Sequence, residues 1–311
     1  MEKIIKTKTK HHLHQCKNSE ELLKALRSNN IDLNAIVHEY LKPETNASII
    51  VTGSIAEGTG NSESDLDILV LLNSDSEFKA SRNVINLEYG NSLEVLLYKN
   101  GIEINIDYMS RNRLNNLIES FLSIAPALYD PRDMESLLII GWEDLQFLHR
   151  LKNGWVIENK EMAHLWQDEF MVDLLPIYSA VKDYFEGIEL LEDAISALSG
   201  PRRSAIYMGR KCIEFGMFSL LAKNGFTSQS KKWIIHWCEK LKNDQAYPLL
   251  EKGCNLLFSQ KIDTEKQEKE FIEEVIIFFK ELRIELEKDS AIGKAIGYLR
   301  GEINYIDIGI A

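Results

Sequence analysis

The segment from Ala47 to Leu72, "ASIIVTGSIAEGTGNSESDLDILVLL", constrains the fold more than any other part of the chain. It holds two apolar runs, "ASIIVT" and "DLDILVLL", each of strand length, separated by a loop rich in Gly, Asn and Ser. The second run continues as "ILVLL" without alternation, the pattern of a central strand covered on both faces. Yet it opens with Asp65 and Asp67. Residues i and i+2 of a strand share a face, with Cα atoms about 6.6 to 6.8 Å apart, so the two carboxylates stand side by side while Leu66 and Ile68 turn to the core. At the start of such a strand they lie on the rim of a sheet. Two carboxylates there suit a hard divalent cation such as Mg²⁺, whose other ligands are water and substrate phosphates.

The neighbouring segments extend the sheet. "SLEVLLY" and "IEINIDYM" flank Lys99, Asn100 and Gly101, and Asn-Gly between alternating segments predicts a hairpin. In "EINID" the alternation sets Glu103, Asn105 and Asp107 on one face and Ile102, Ile104 and Ile106 on the other, which makes Asp107 a third carboxylate candidate. Upstream, Gly53 permits close backbone approach, and Ser54 is expected to open a helix whose free N–H groups can hold phosphate oxygens. "NSEELLKALRSNN", capped at Asn18 or Ser19, and "DLNAIVHEYLK" read as short amphipathic helices before the first strand. From about residue 111 the periodicity is helical, in "RNRLNNLIESFLSIA", "MESLLIIGWEDLQFLHRL" and longer patterns beyond. In "TEKQEKEFIEEVIIFFKELRIELEKD", Phe271, Val275, Phe278, Leu282 and Leu286 form one apolar stripe, as in a core-packing helix. The expected fold class is α+β, with a sheet domain at residues 1–145 and an all-helical domain at 146–311.

Gly53 and Ser54, ten intervening residues, then Asp65-Leu66-Asp67 resemble the GSx10DxD signature of the nucleotidyltransferase superfamily typified by DNA polymerase beta. The resemblance spans roughly residues 45 to 135, including "ALYDPRD", and extends to antibiotic nucleotidyltransferases and minimal nucleotidyltransferase antitoxins. It implies a nucleotidyltransferase sheet with flanking helices, Gly53 and Ser54 touching the donor's distal phosphates, and Asp65, Asp67 and Asp107 carrying two Mg²⁺ ions. The implied reaction is attack by an acceptor hydroxyl on the α-phosphorus of a nucleoside triphosphate, with ATP as the expected donor. Asp107 doubles as the proton acceptor, with Glu103, Asp168 and Glu169 as substitutes. Residues 200 to 237 loosely resemble the helical second domain of antibiotic nucleotidyltransferases. If Pro201 opens a helix, Arg203, Tyr207, Arg210 and Glu214 share a polar face, which serves equally as a solvated surface or as one side of an acceptor cleft between the domains. In the second case Arg203, Arg210 or Lys232 neutralises triphosphate charge.

Bulk properties narrow the partners. A net charge of -12 repels polyanions, which disfavours nucleic acid and favours a small polar or cationic acceptor. No apolar run approaches the roughly 18 residues that span a bilayer, and the basic amino terminus has no apolar core, so the expected setting is the cytoplasm with no membrane anchor. The four cysteines stand at no metal or redox spacing and are expected to be reduced. "HHLH" at residues 11 to 14 is expected to be solvated, and His164 and His236 to be hydrogen-bonded packing residues. Two alternatives accompany the transferase reading: an antitoxin that modifies or sequesters a protein partner, and a catalytically inactive nucleotide sensor.

Overall fold

The structure, a computed structural model, describes residues 11–79, 84–85, 93–124, 140–167, 174–200, 204–228, 230–258 and 261–297. Its elements run α1 (Ser19–Ser28), α2 (Leu33–His38), β1 (Ser48–Thr52), α3 (Gly53–Ala56), β2 (Leu66–Leu72), β3 (Val84–Ile85), β4 (Leu93–Lys99), β5 (Ile102–Ser110), α4 (Arg111–Ile124), α5 (Trp142–Asn153), β6 (Trp155–Glu158), α6 (Lys160–Gln167), α7 (Leu174–Ser196), α8 (Ser204–Lys223), α9 (Ile234–Lys240), α10 (Tyr247–Phe258), α11 (Glu265–Leu286) and α12 (Ser290–Gly297). They fall into two compact units, one within Met1–Phe121 and Gln146–Val172, the other within Leu122–Leu145 and Asp173–Ala311.

The first unit is a mixed sheet in the order β3-β4-β5-β2-β1-β6. β2 lies between β1, antiparallel to it, and β5, parallel to it, which places the aspartate-bearing strand in the interior of the sheet. The β4–β5 hairpin turns on Asn100 at φ 50° and Gly101 at φ 83°, the two consecutive left-handed residues that a tight two-residue turn requires. One face is apolar. Ile49, Val51, Leu66, Ile68, Val70, Ile104 and Ile106 are fully buried there beneath Leu22 and Leu26 of α1 and Ile36 and Val37 of α2. Both helices start on side-chain caps, as Asn18 accepts from the Glu21 N–H and Asp32 from the Ala35 N–H. The other face carries the polar residues of the same strands.

The expected α+β fold class is present, with a helical C-terminal region. β6 departs from the reading, because "WVIE" lies in a stretch assigned to an all-helical half and pairs with β1 instead. Four residues between Gly154 and Asn159 are too few for periodicity to declare a strand. The "HHLH" segment departs too. His11 is 7% exposed and Leu13 1%, and a 3-10 turn, Leu13–Gln15, follows. One buried leucine is enough to anchor the segment on the core.

The second unit is helical. α7 and α8 pack closely, joined by Ser219 Oγ donating to the Ala180 carbonyl at 2.6 Å and Cys212 Sγ donating to the Gly187 carbonyl at 3.0 Å. A Cβ at Gly216 would lie 2.8 Å from the Phe278 ring, so the small residue lets α11 approach α8. Phe271, Val275, Phe278, Leu282 and Leu286 are all buried, and Thr264 closes a capping box at the start of α11. Pro201, Arg203 and the "ALYDPRD" segment lie outside the described residues. His164 is exposed, and His236 Nε2 is buried without a hydrogen-bond partner, its ring edge-on to Trp237 at 5.2 Å. His164 therefore does not take the packing role expected of it, and at His236 the neighbouring Trp237 supplies contact but no acceptor for Nε2. The four cysteines are free thiols.

Candidate active site

The site starts where β1 ends. Gly53 has φ +69°, and a Cβ there would sit 2.1 Å from Asp67 Oδ2. Glycine is thus required twice, by backbone conformation and by the carboxylate lying against it. α3, which it opens, is a single turn of four residues. The helix expected at Ser54 is therefore too short to supply a substantial dipole, and any anion here would rely on individual N–H groups. The loop then folds back, with the Thr59 and Gly60 N–H groups both donating to the Ser54 carbonyl, at 2.9 and 2.8 Å.

Strand pairing assembles the acids. Thr52 of β1 and Asn105 of β5 flank Asp67 in register, and Asp107 falls one pleat further along the same face. Asn105 Nδ2 donates to Asp67 Oδ1 at 3.3 Å, while Asn105 Oδ1 is buried with no hydrogen-bond partner. Asp65 stands just ahead of β2 and is half-buried. Burial pushes the Asp67 carboxyl above the ordinary carboxylate range; Arg150 and the Asn105 hydrogen bond oppose this, and Asp107 and Asp65 reinforce it. Glu94 of β4 pairs in register with Asp107 and is likewise raised, by burial first and then by Asp107. Glu103, one pleat from Asn105, accepts from the Tyr98 hydroxyl.

α5 brings what the motif lacks. Arg150 Nη1 donates to Asp107 Oδ2 at 2.8 Å, and its Nε donates to Thr52 Oγ1 at 3.2 Å. His149 is 3% exposed and lies with Nε2 3.2 Å from Glu57 Oε1 in the glycine-serine loop. Asn153 Nδ2 reaches His149 Nδ1 at 3.1 Å, where Nδ1 is the acceptor. The helix ends at Gly154, where a Cβ would meet Ile50 Cγ2 at 2.4 Å, so the α5 terminus sits directly on β1. From the other end of the chain, His11 Nε2 donates to the Ser64 carbonyl at 2.8 Å, beside Asp65.

This arrangement of a glycine-serine turn and rim aspartates meets an independent comparison. Residues 33–123 match the nucleotidyltransferase domain family. The matched span covers β1 to β5 and stops before α5. No curated protein matches the chain. Among solved structures, a nucleotidyltransferase-like protein from Exiguobacterium sibiricum 255-15 is similar at 12% identity over 89% of this chain and 77% of that one, with a TM-score of 0.43.

The matched span carries the acidic rim. The donor set at its rim is all oxygen, and the orphaned Asn105 Oδ1 adds a hard, uncharged ligand beside the carboxylates, so its chemistry fits Mg²⁺. The carboxylates are not closed around a point: among the described residues, no three His, Cys, Asp or Glu side chains form a group able to hold a metal. Asp107 is engaged by Arg150 instead. Lys232 belongs to the helical unit, in the 3-10 turn Lys231–Trp233, exposed, with Nζ 5.2 Å from the Trp233 ring centre. Arg210 and Tyr207 are exposed on α8, while Asp168, Glu169 and Arg203 lie outside the described residues. Arg150, His149 and Glu94 carry no motif, and sequence reasoning passed over them. Register from the hairpin turn is the one signal that could have placed Glu94 opposite Asp107.

Proposed function

We propose that the protein is a metal-dependent nucleotidyltransferase that moves AMP from ATP to a hydroxyl of a small polar or cationic acceptor. One observation carries this reading: the parallel pairing of β2 with β5 gathers Asp67, Asn105 and Asp107 on one face, against a glycine turn with no room for a side chain. In this reading Asp65, Asp67 and Asp107 would draw together to hold Mg²⁺ once Arg150 releases Asp107, with Asn105 Oδ1 available beside them. Magnesium, when bound, would activate the acceptor hydroxyl and offset charge on the leaving pyrophosphate. The bare Gly53 backbone and Ser54 receive the donor's distal phosphates. Asp107 takes the hydroxyl proton, and Glu94, opposite it in the β4–β5 register, is a second acid on the same rim. The acidic rim and the net charge of -12 favour a cationic or hydroxyl-rich acceptor over a polyanion.

The test is incubation with each of the four nucleoside triphosphates labelled at the α-phosphate, with Mg²⁺ and a panel of small hydroxylated amines and sugars. Label from ATP should enter a low-mass product that survives nuclease and protease. Label on RNA or on a protein band would overturn the acceptor assignment, and preference for another base would overturn the donor.

A further inference from the structure

Arg150 lies beyond the nucleotidyltransferase match, on a helix the motif does not predict. Its guanidinium has two fixed contacts, Asp107 Oδ2 at 2.8 Å and Thr52 Oγ1 at 3.2 Å. Thr52 is 1% exposed and pairs with Asp67 across β1–β2, so the second contact fixes the guanidinium over the strands that bear the acids. The Asp107 side chain is 15% exposed and that of Arg150 26%, a partly desolvated setting in which charges are weakly screened. Arg150 therefore supplies positive charge at the rim, where the reading above puts a metal, beside the unpartnered Asn105 Oδ1.

We propose that Arg150 is a positioning residue that stands in for a cation at Asp107 in the unloaded protein, so that a divalent metal binds weakly until Asp107 is handed over from guanidinium to metal. The inference rests on the metal-dependent reading above. Its physical basis is competition: one carboxylate oxygen is already engaged by a charge-assisted hydrogen bond, and an arriving dication is repelled by a guanidinium held at the same rim. The donor's polyphosphate offers that guanidinium another anion, which would couple metal binding to nucleotide binding.

The test is a Mn²⁺ titration of the nucleotide-free full chain, followed by the electron paramagnetic resonance of free Mn²⁺, on wild type, Arg150→Met and Arg150→Lys. Arg150→Met should bind Mn²⁺ about tenfold more tightly than wild type, equivalent to about 1.4 kcal/mol. Arg150→Lys keeps the charge and should stay near wild type. Arg150→Gln, which keeps a hydrogen-bond donor without the charge, should tighten like the methionine variant and serves if that variant does not fold. A residue that only braced α5 would give unchanged or weaker Mn²⁺ binding in the neutral variants, and that result overturns the proposal. Adding Asp67→Asn to Arg150→Met separates the two levels. Loss of Mn²⁺ binding places the ion at the acidic rim, and equal affinity of wild type and Arg150→Met then sinks this inference alone. Mn²⁺ binding that survives Asp67→Asn overturns the metal assignment and this inference with it.

Discussion

Asp67 carries the sharpest conflict between folding and function. Its carboxyl is held above the ordinary range, with burial as the leading cause, so between the unfolded and folded values the native state binds more protons than the unfolded chain. Stability contributed by this group is therefore present at low pH and lost as pH rises through that window. Above that window the charged, metal-free form is a net cost. Asp67→Asn keeps the shape and the Asn105 neighbour but removes the charge. It should raise the melting temperature in metal-free neutral buffer by a few degrees and lower transfer by more than about a hundredfold, since loss of even an outer-shell partner costs about 10- to 100-fold. A variant that melts lower and still turns over would contradict both the burial argument and the metal role.

At the scale of elements, α5 couples the motif to the rest of the sheet. His149 lies against Glu57 of the loop, Arg150 bonds to Asp107 and Thr52, and Gly154 closes the helix onto β1. In the helical unit, α8 and α11 are tied by Lys223, whose Nζ donates to Glu285 Oε1 at 2.7 Å and to the Glu285 carbonyl at 2.6 Å. Burial alone would raise the Glu285 carboxyl, but its bonds to Lys223 and Lys288 outweigh that and lower it. A depressed carboxyl stabilises above its unfolded value, and that stability is lost as pH falls through the folded one. Glu285→Gln should thus destabilise at neutral pH by roughly 1 to 2 kcal/mol, the low end for a charged hydrogen bond that is partly solvated. The deficit should shrink as the buffer is taken below the ordinary carboxylate range. Thermal melts of both proteins across pH 3 to 8 read this directly, and a deficit independent of pH would show that packing, not charge, holds the contact.

For the whole molecule, net charge and ligand linkage are the relevant quantities. A chain at -12 with acids gathered on one rim resists further anions unless a cation arrives with them. ATP alone should shift the melting temperature little, and ATP with Mg²⁺ should raise it, because a ligand bound only by the native state adds RT ln(1 + [L]/Kd). An equal shift with ATP and a chelator would place nucleotide binding away from the acidic rim. Among the described residues no helix is long and apolar enough to cross a membrane.

Local chemistry decided much of this in advance. Asn100-Gly101 dictates a tight hairpin because both positions adopt left-handed φ, and the alternation of Glu103, Asn105 and Asp107 with three isoleucines leaves one possible face for the acids. The Gly53-Ser54 turn and Asp65-Leu66-Asp67 were legible for the same reason, as period two and glycine freedom act within a few residues. What the chain could not announce is whatever depends on contacts far apart in sequence. Arg150 reaches Asp107 across 43 positions and Thr52 across 98, and "WVIE" becomes a strand only because β1 offers it an open edge. Leu13 likewise draws "HHLH" onto a core that exists only once the sheet has formed. Propensity and periodicity set the acidic face, whereas the cation that meets it was chosen by packing.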